Sequence, residues 1–235
     1  MSDAELLESV TQIARQAGEV ILQVYATDFL VRGKDDASPV TVADERAEAV
    51  ILAALADLTP GTPVVAEESV AAGRVPDMGR RGGRFWLVDP LDGTKEFICR
   101  NGEFTVNIAL IEGGEPVLGV VLAPALGRLF AGSRSTGAYV QDQSGCRKIR
   151  CRPVPEAGLT VVASRSHGDA AALDAFLAGR KVAHRVAAGS SLKLCLVATG
   201  EADLYPRLGR TMEWDIAAGH AALAAAGGSV RRVDD

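Results

Sequence analysis

The sequence predicts a mixed fold, α+β in its first part and α/β in its second, stacked in layers. Three observations lead there: two apolar stripes of helical period open the chain, a run of strands with a Gly113-Gly114 turn fills the middle, and strand and helix alternate from Leu159 onward. The first stripe is Leu6, Val10, Ile13, Ala17, Val20 or Ile21, and Val24. Gly33 to Pro39 reads as a polar turn. A second helix follows, with Val42, Val50, Ile51, Ala54, Leu55 and Leu58 inward. Thr41 is placed to cap it, and Thr59-Pro60-Gly61 ends it.

Pro63 to Ala66 is a short strand ending at Glu67-Glu68. Ser69 to Arg84 is rich in Gly and Arg, has no period, and reads as a mobile loop. Phe85 to Val88 is a buried strand that runs into Asp89. Phe104 to Ile111 and Pro116 to Ala123 form a hairpin, and Arg128 to Ala131 and Gly137 to Val140 continue the antiparallel pattern. Beyond Pro153 and Pro155 the order is strand (Leu159 to Ala163), helix (Ala170 to Leu177), strand (Val182 to Val186) and helix (Ser191 to Ala198). A strand (Ala202 to Tyr205), a helix (Trp214 to Ala226) and a last strand (Ser229 to Val233) complete it. Two lobes are expected, 1–150 and 151–235, the first carrying most metal ligands and the second the substrate-binding residues and a last metal-binding Asp.

Composition narrows the function. With 48% hydrophobic and 23% charged residues over 235 positions, the chain has material for a large core and is no disordered protein. A net charge of −5 and 5% aromatic residues speak against a nucleic-acid binder, which needs a basic stripe and stacking platforms. The richest apolar stretch, Val117 to Leu126, is broken by Pro124 and falls short of the ~18 residues of a membrane span. The acidic N-terminus is no secretory signal. Cys99, Cys146, Cys151 and Cys195 form no Cys-x-x-Cys pair and read as reduced thiols of a cytosolic protein. The histidines are scattered, so any metal would be a hard ion held by carboxylates.

The segment Trp86-Leu-Val-Asp89-Pro90-Leu91-Asp92-Gly93-Thr94 carries the most information. Two carboxylates three residues apart sit where a buried strand emerges into a Pro/Gly turn. Such a turn can aim Asp89, Asp92 and the Leu91 carbonyl at one point, an oxygen set suited to Mg²⁺. Taken alone, it fits equally well a turn whose Asp side chains cap backbone amides. Asp215 alone reads as a first-turn helix acid, Asp44 as another, and Glu67 and Glu68 as a solvated pair. Together, acids repeated at strand and helix ends are how α/β proteins build sites.

Val65-Ala-Glu67-Glu68-Ser69, Asp89-Pro-Leu-Asp92-Gly-Thr94 and Trp214-Asp215-x-Ala-Ala-Gly resemble the signatures of the inositol monophosphatase superfamily. The resemblance spans nearly the whole chain. It is nearest to the bacterial 3′(2′),5′-bisphosphate nucleotidases of the CysQ type, through Lys95-Glu-Phe-Ile98, Arg100-Asn-Gly-Glu-Phe-Thr-Val-Asn107, Ser164-Arg-Ser-His167, Gly189-Ser-Ser-Leu-Lys193 and Leu204-Tyr-Pro-Arg207. Members of that family continue with a Pro-Leu-containing tail, and this sequence stops at Asp235.

The resemblance implies an αβαβα sandwich of the sugar-phosphatase type and a Mg²⁺-dependent, lithium-sensitive phosphomonoesterase. Its expected reaction removes the 3′-phosphate of adenosine 3′,5′-bisphosphate, a by-product of sulfate assimilation, with the sulfated nucleotide as a further candidate. It implies that Glu67, Asp89 and the Leu91 carbonyl hold one Mg²⁺. Asp89, Asp92 and Asp215 would hold a second, and a third, weaker ion would lean on Glu67 through water. Thr94, backed by Asp44 or Glu67, would orient and deprotonate the attacking water, with Thr41, Asp44 and Thr94 as the preferred relay. Gly93 and Thr94 would meet the phosphate, and Ser164, His167, Gly189, Lys193 and Asp215 the substrate. Lys193 would serve the second, non-reacting phosphate; read without the family, it is a solvated helix lysine.

The expected partner is a small-molecule bisphosphate nucleotide, with no nucleic acid and no transmembrane segment, in a monomer or homodimer. The expected location is cytoplasmic, with peripheral contact at the inner membrane left open. An inositol or sugar phosphatase is the alternative within the superfamily. A non-catalytic phosphate-binding regulatory module is the alternative outside it, opposed by the presence of Glu67, Asp89, Asp92, Thr94 and Asp215.

Overall fold

The computed structural model describes residues 1–33, 39–77, 83–165 and 169–233. Helix α1 (Asp3–Tyr25) starts at a capping box in which Ser2 and Glu5 satisfy each other's backbone N–H groups. It buries the apolar stripe that its sequence spacing predicts. Strands β1 (Val31–Gly33) and β2 (Pro39–Thr41) pair antiparallel. The polar turn read between them lies mostly outside the described residues. Helix α2 (Val42–Leu58) begins where predicted, at a Thr41/Asp44 capping box. Ile51 and Leu55 are buried as expected, with Val42, Ala54 and Leu58 packed against the same core, and the buried face extends further to Ala43, Asp44, Ala47 and Glu48.

Seven strands form the main sheet: β3 (Val64–Ala66), β4 (Arg84–Asp92), β5 (Thr105–Glu112), β6 (Glu115–Ala123), β7 (Arg128–Ser133), β8 (Gly137–Asp142) and β9 (Gly145–Ile149). They lie in chain order, with β3 parallel to β4 and the rest antiparallel. The β5–β6 hairpin turns at Gly113-Gly114, as read from the sequence. Alternation of side chains gives this sheet two apolar faces. Trp86, Val88, Ile108, Leu110 and Val120 pack under α1 and α2. Leu87, Ala109, Ile111, Val121 and Phe130 pack under α6 (Leu192–Ala198) and α7 (Glu213–Ala225). Beyond those helices lies a parallel pair, β10 (Leu159–Ser164) and β11 (Val182–Ala188), joined by α5 (Ala170–Leu177). The layer order is αβαβα.

Four local readings are corrected. Ser69 to Ala71 is not loop but part of a short helix, α3 (Glu67–Ala71), held down by hydrogen bonds from Glu68 N and Ser69 Oγ to buried Glu48. Ala202 to Tyr205 makes a single bridge, Leu204 to Val161, rather than a strand. Ser229 to Val233 is no strand; Val230 and Val233 are exposed and have no apolar face to bury. Helix α4 (Thr94–Ile98), absent from the predicted element order, follows Gly93, whose φ of 88° suits only glycine well. Among the described residues, no helix is long and apolar enough to cross a membrane.

Helix α7 packs directly on the backbone of Gly119 and Gly132, cross-strand partners on β6 and β7, where an added Cβ would clash with it. A Cβ on Gly119 would stand 2.2 Å from the Ala218 carbonyl oxygen. Gly119→Ala should therefore cost about 3 kcal/mol, the upper part of the range for overpacking, read as a lower urea midpoint. Since α7 carries Asp215 in its first turn, the same change should weaken the site. A midpoint equal to wild type would show that the helix lifts off freely.

Candidate active site

The site assembles at the ends of β3, β4, α2, α4, α6 and α7. On β4, Asp89 pairs with Asn107 of β5 and Asp92 with Thr105, so three steps on one strand match two on the other. That one extra residue is a bulge. In a regular strand, residues three apart point to opposite faces; the bulge re-aims them, so that Asp89 and Asp92 can serve one site. The sequence reading placed both in a turn; they lie within the strand, and the turn comes only at Gly93.

Asp89 is buried, and its Oδ1 accepts from Leu91 N at 3.0 Å. Burial pushes its carboxyl well above the ordinary range, helped by the charges of Glu67, Asp92 and Asp215 and by a hydrogen bond with Glu67. Asp92 is pushed up to about 6, first by burial and then by Asp215, against the pull of Lys193 and a hydrogen bond from Ser191. Four carboxylates from three distant stretches of chain thus act on one another. Among the described residues no three of them close into a finished ligand cage. They are gathered like charges, and a cation would draw them together.

Asp215 Oδ2 accepts from Thr211 Oγ1 at 2.9 Å and Met212 N at 3.0 Å. Asp44 Oδ2 accepts from both Thr41 N (2.8 Å) and Thr41 Oγ1 (2.7 Å). Its Oδ1 faces the Thr94 hydroxyl, which lies 3.4 Å from that oxygen and from the Leu91 carbonyl. Glu67 and Glu68 open α3, half-buried rather than solvated, with the Glu68 amide on Glu48 at 2.8 Å.

On the opposite wall, Gly189 N donates to Glu103 at 2.8 Å, and a Cβ at Gly189 would meet Glu103 O at 2.8 Å and Glu96 Cγ at 2.7 Å. Arg165 grips the same Glu103 carboxylate with two nitrogens, at 2.9 and 3.1 Å. Ser164 ends β10, half-buried. His167 lies outside the described residues. Lys193 is not the solvated lysine that its bare sequence suggests. Only 5% of it is exposed; its Nζ bonds the Ser190 carbonyl and sits 5.5 Å from the centre of the Tyr205 ring. Burial pushes its pKa down while Asp92 pulls it up.

Three buried residues of this neighbourhood receive no role from the sequence, although Ser191 and Asn107 lie inside motifs that carry the family resemblance. Glu48 holds α3. Ser191 Oγ lies 2.8 Å from Asp92 Oδ2 and 2.6 Å from the Asp215 carbonyl, and accepts from Asn107 Nδ2 at 2.9 Å. Asn107 carried a signal, a polar amide inside the apolar strand Val106-Asn-Ile-Ala-Leu. Ser191 stands inside Gly189-Ser-Ser-Leu-Lys193, but nothing local sets it apart from Ser190.

An all-oxygen donor set that is buried and mutually repelling fits a hard divalent cation. It also makes a prediction about stability. Without metal, the folded chain holds a proton on Asp92 up to about pH 6, whereas the unfolded chain loses it near 3.8. The folded state then binds more protons, so stability falls as pH rises through that window. For Asp92 the fall is on the order of 3 kcal/mol, at 1.36 kcal/mol for each tenfold difference in proton affinity between the two states. Melting curves in EDTA between pH 4 and 7 should show it, and Asp92→Asn should flatten it; equal slopes in the two proteins would exclude Asp92 as its source.

The fold and this acidic site define a class. The chain matches the inositol monophosphatase family over residues 2–235, and it belongs to that family. Within it, the chain is 50% identical over 228 residues to a 3′(2′),5′-bisphosphate nucleotidase CysQ of Escherichia coli O157:H7, covering 96% of this chain and 89% of that protein. It is 41% identical to the CysQ nucleotidase of Buchnera aphidicola, covering 97% and 84%. A crystal structure of CysQ from Bacteroides thetaiotaomicron superposes with a TM-score of 0.78 at 38% identity, over 95% of this chain and 87% of that one.

Proposed function

We propose that the protein is a Mg²⁺-dependent phosphomonoesterase that hydrolyses adenosine 3′,5′-bisphosphate at its 3′-phosphate, giving AMP and phosphate. The sulfated 3′-phosphonucleotide is proposed as a second substrate. The observation that carries the reading is the gathering of Glu67, Asp89, Asp92 and Asp215 beside a buried lysine. The half-identical CysQ nucleotidases support it.

Glu67, Asp89, the Leu91 carbonyl, Asp92 and Asp215 are the residues that would hold Mg²⁺, with Asp89 serving two ions. Bound there, the ions would offset the charge of the phosphate, lower the pKa of a bound water and steady the leaving oxygen. The chain's own part is proton handling and placement. Thr41 occupies one oxygen of Asp44 and leaves the other toward Thr94. The Thr94 hydroxyl can pass its proton to Asp44 while accepting one from the attacking water; such bonds often stay long until substrate is bound. Gly93 lets the backbone turn close to the phosphate. Gly189, Ser164 and Lys193 line the side proposed for the nucleotide, and His167 is proposed with them from sequence alone. The division into lobes at 150/151 is likewise a proposal, with α7 of the second lobe packed on the sheet of the first.

Phosphate release from a panel of bisphosphate nucleotides, 3′-AMP, inositol phosphates and sugar phosphates decides the matter. Bisphosphate nucleotides should be turned over fastest, and EDTA should stop the reaction. Preference for an inositol phosphate would move the protein to the other branch of its family.

A further inference from the structure

We propose that Ser191, set by Asn107, is a positioning residue that locks Asp92 to the first turn of α7 and so fixes the spacing of the second cation position. The inference rests on the metal-dependent reading above. Ser191 is buried, 3% exposed, in the turn between β11 and α6. Its hydroxyl has one proton and two acceptors in reach, Asp92 Oδ2 at 2.8 Å and the Asp215 carbonyl at 2.6 Å. The carbonyl lies inside α7, whose helical ladder supplies another donor. The carboxylate carries charge, and a charge-assisted hydrogen bond is the stronger one. The proton leans toward Asp92 and is shared with the Asp215 carbonyl in a three-centre bond, and that sharing keeps the α7 start beside the carboxylate.

Asn107 gives the serine its direction. Its Nδ2 donates to Ser191 Oγ at 2.9 Å and lies 3.5 Å from Asp92 Oδ2. The amide could not be turned round without setting Oδ1 against that carboxylate. In the observed orientation Oδ1 is buried with no hydrogen-bond partner among the described residues. Accepting from Asn107 turns the Ser191 hydroxyl proton toward Asp92 and the Asp215 carbonyl. The same turn holds Ser190 at a φ of 41°, a left-handed conformation rare for serine, and it carries Gly189 and Lys193 on either side. The clamp thus joins the wall proposed for the nucleotide to the acids proposed for the metal.

Outer partners of metal ligands usually contribute ten- to a hundredfold in affinity. Calorimetric titration with Mg²⁺ alone, without substrate, reads this directly. Ser191→Ala should weaken the tighter-bound fraction by about tenfold. Thr105→Val serves as control: Thr105 is buried in the same cluster, donates to Ser190 Oγ at 3.3 Å and touches neither Asp92 nor Asp215 through its hydroxyl. It should leave Mg²⁺ affinity unchanged. Asn107→Leu, which keeps the volume and removes the donor, should reproduce the Ser191→Ala loss. If wild type binds Mg²⁺ and Ser191→Ala binds it equally well, the clamp is wrong and the metal-dependent reading stands. If Thr105→Val loses as much as Ser191→Ala, the effect is general packing and the clamp is wrong. If wild type itself takes up no Mg²⁺, the metal-dependent reading fails first.

Discussion

Asp89→Asn is expected to lower turnover about a thousandfold, the largest effect of any single change in the site. Asp89 is the one acid proposed to face two cations, so losing its charge weakens both positions at once. A loss of about 4 kcal/mol of charge stabilisation corresponds to that factor, at 1.36 kcal/mol per tenfold. Asparagine keeps the shape and an acceptor for Leu91 N, so the bulge should survive. The metal-free protein should respond in the opposite direction. Asp89 is buried among Glu67, Asp92 and Asp215, which holds its carboxyl well above the ordinary range, so the folded state loses stability once the unfolded chain's carboxyl has ionised. Replacing the ionisable group should raise the melting temperature in EDTA at pH 7. A site that loses activity and gains metal-free stability on one substitution is a site held open for a cation. Activity within a few-fold of wild type at ordinary Mg²⁺ would refute the bridging role.

The parts of this architecture that local pattern dictates were legible in advance. The 3.6-residue stripe of α1, the Thr41 cap of α2, the glycine hairpin and the strand–helix alternation after Leu159 depend on neighbours a few residues away. The errors fall where the deciding partner is distant. Ser69 and Glu68 are drawn into a helix by Glu48, a residue on another element. Ser229 to Val233 has strand-like composition but buries no face. The acids were found through motif resemblance, and the structure adds why their spacing works. Asp89 and Asp92 sit on one strand in a register that needs a bulge, which only the pairing with Asn107 and Thr105 reveals. The role of Ser191, though not its motif, was invisible because its three polar contacts lie 24 to 99 positions away along the chain.

Lys193 shows the same point with consequences for specificity, since its burial is a tertiary fact. A lysine kept from water, with its Nζ on the Ser190 carbonyl and beside Tyr205, has lost hydration and gained few partners. An anionic ligand group would restore what burial removed. The phosphate that is not hydrolysed has no metal to meet it, and Lys193 is the cation proposed for it. Lys193→Met keeps most of the side-chain volume and removes the charge, so packing beside Tyr205 should hold. The kcat/KM for adenosine 3′,5′-bisphosphate should fall about ten- to a hundredfold, the worth of one charge-assisted hydrogen bond at roughly 1.5–3 kcal/mol. Hydrolysis of 3′-AMP, which lacks the 5′-phosphate, should hardly change. The structure supplies the competing outcome as well, because Lys193 also acts on Asp92. Were its main task to hold that carboxylate ionised, both substrates would lose rate equally, and the pH at which activity rises would move upward. A loss confined to the bisphosphate, with the pH profile in place, assigns Lys193 to the second phosphate.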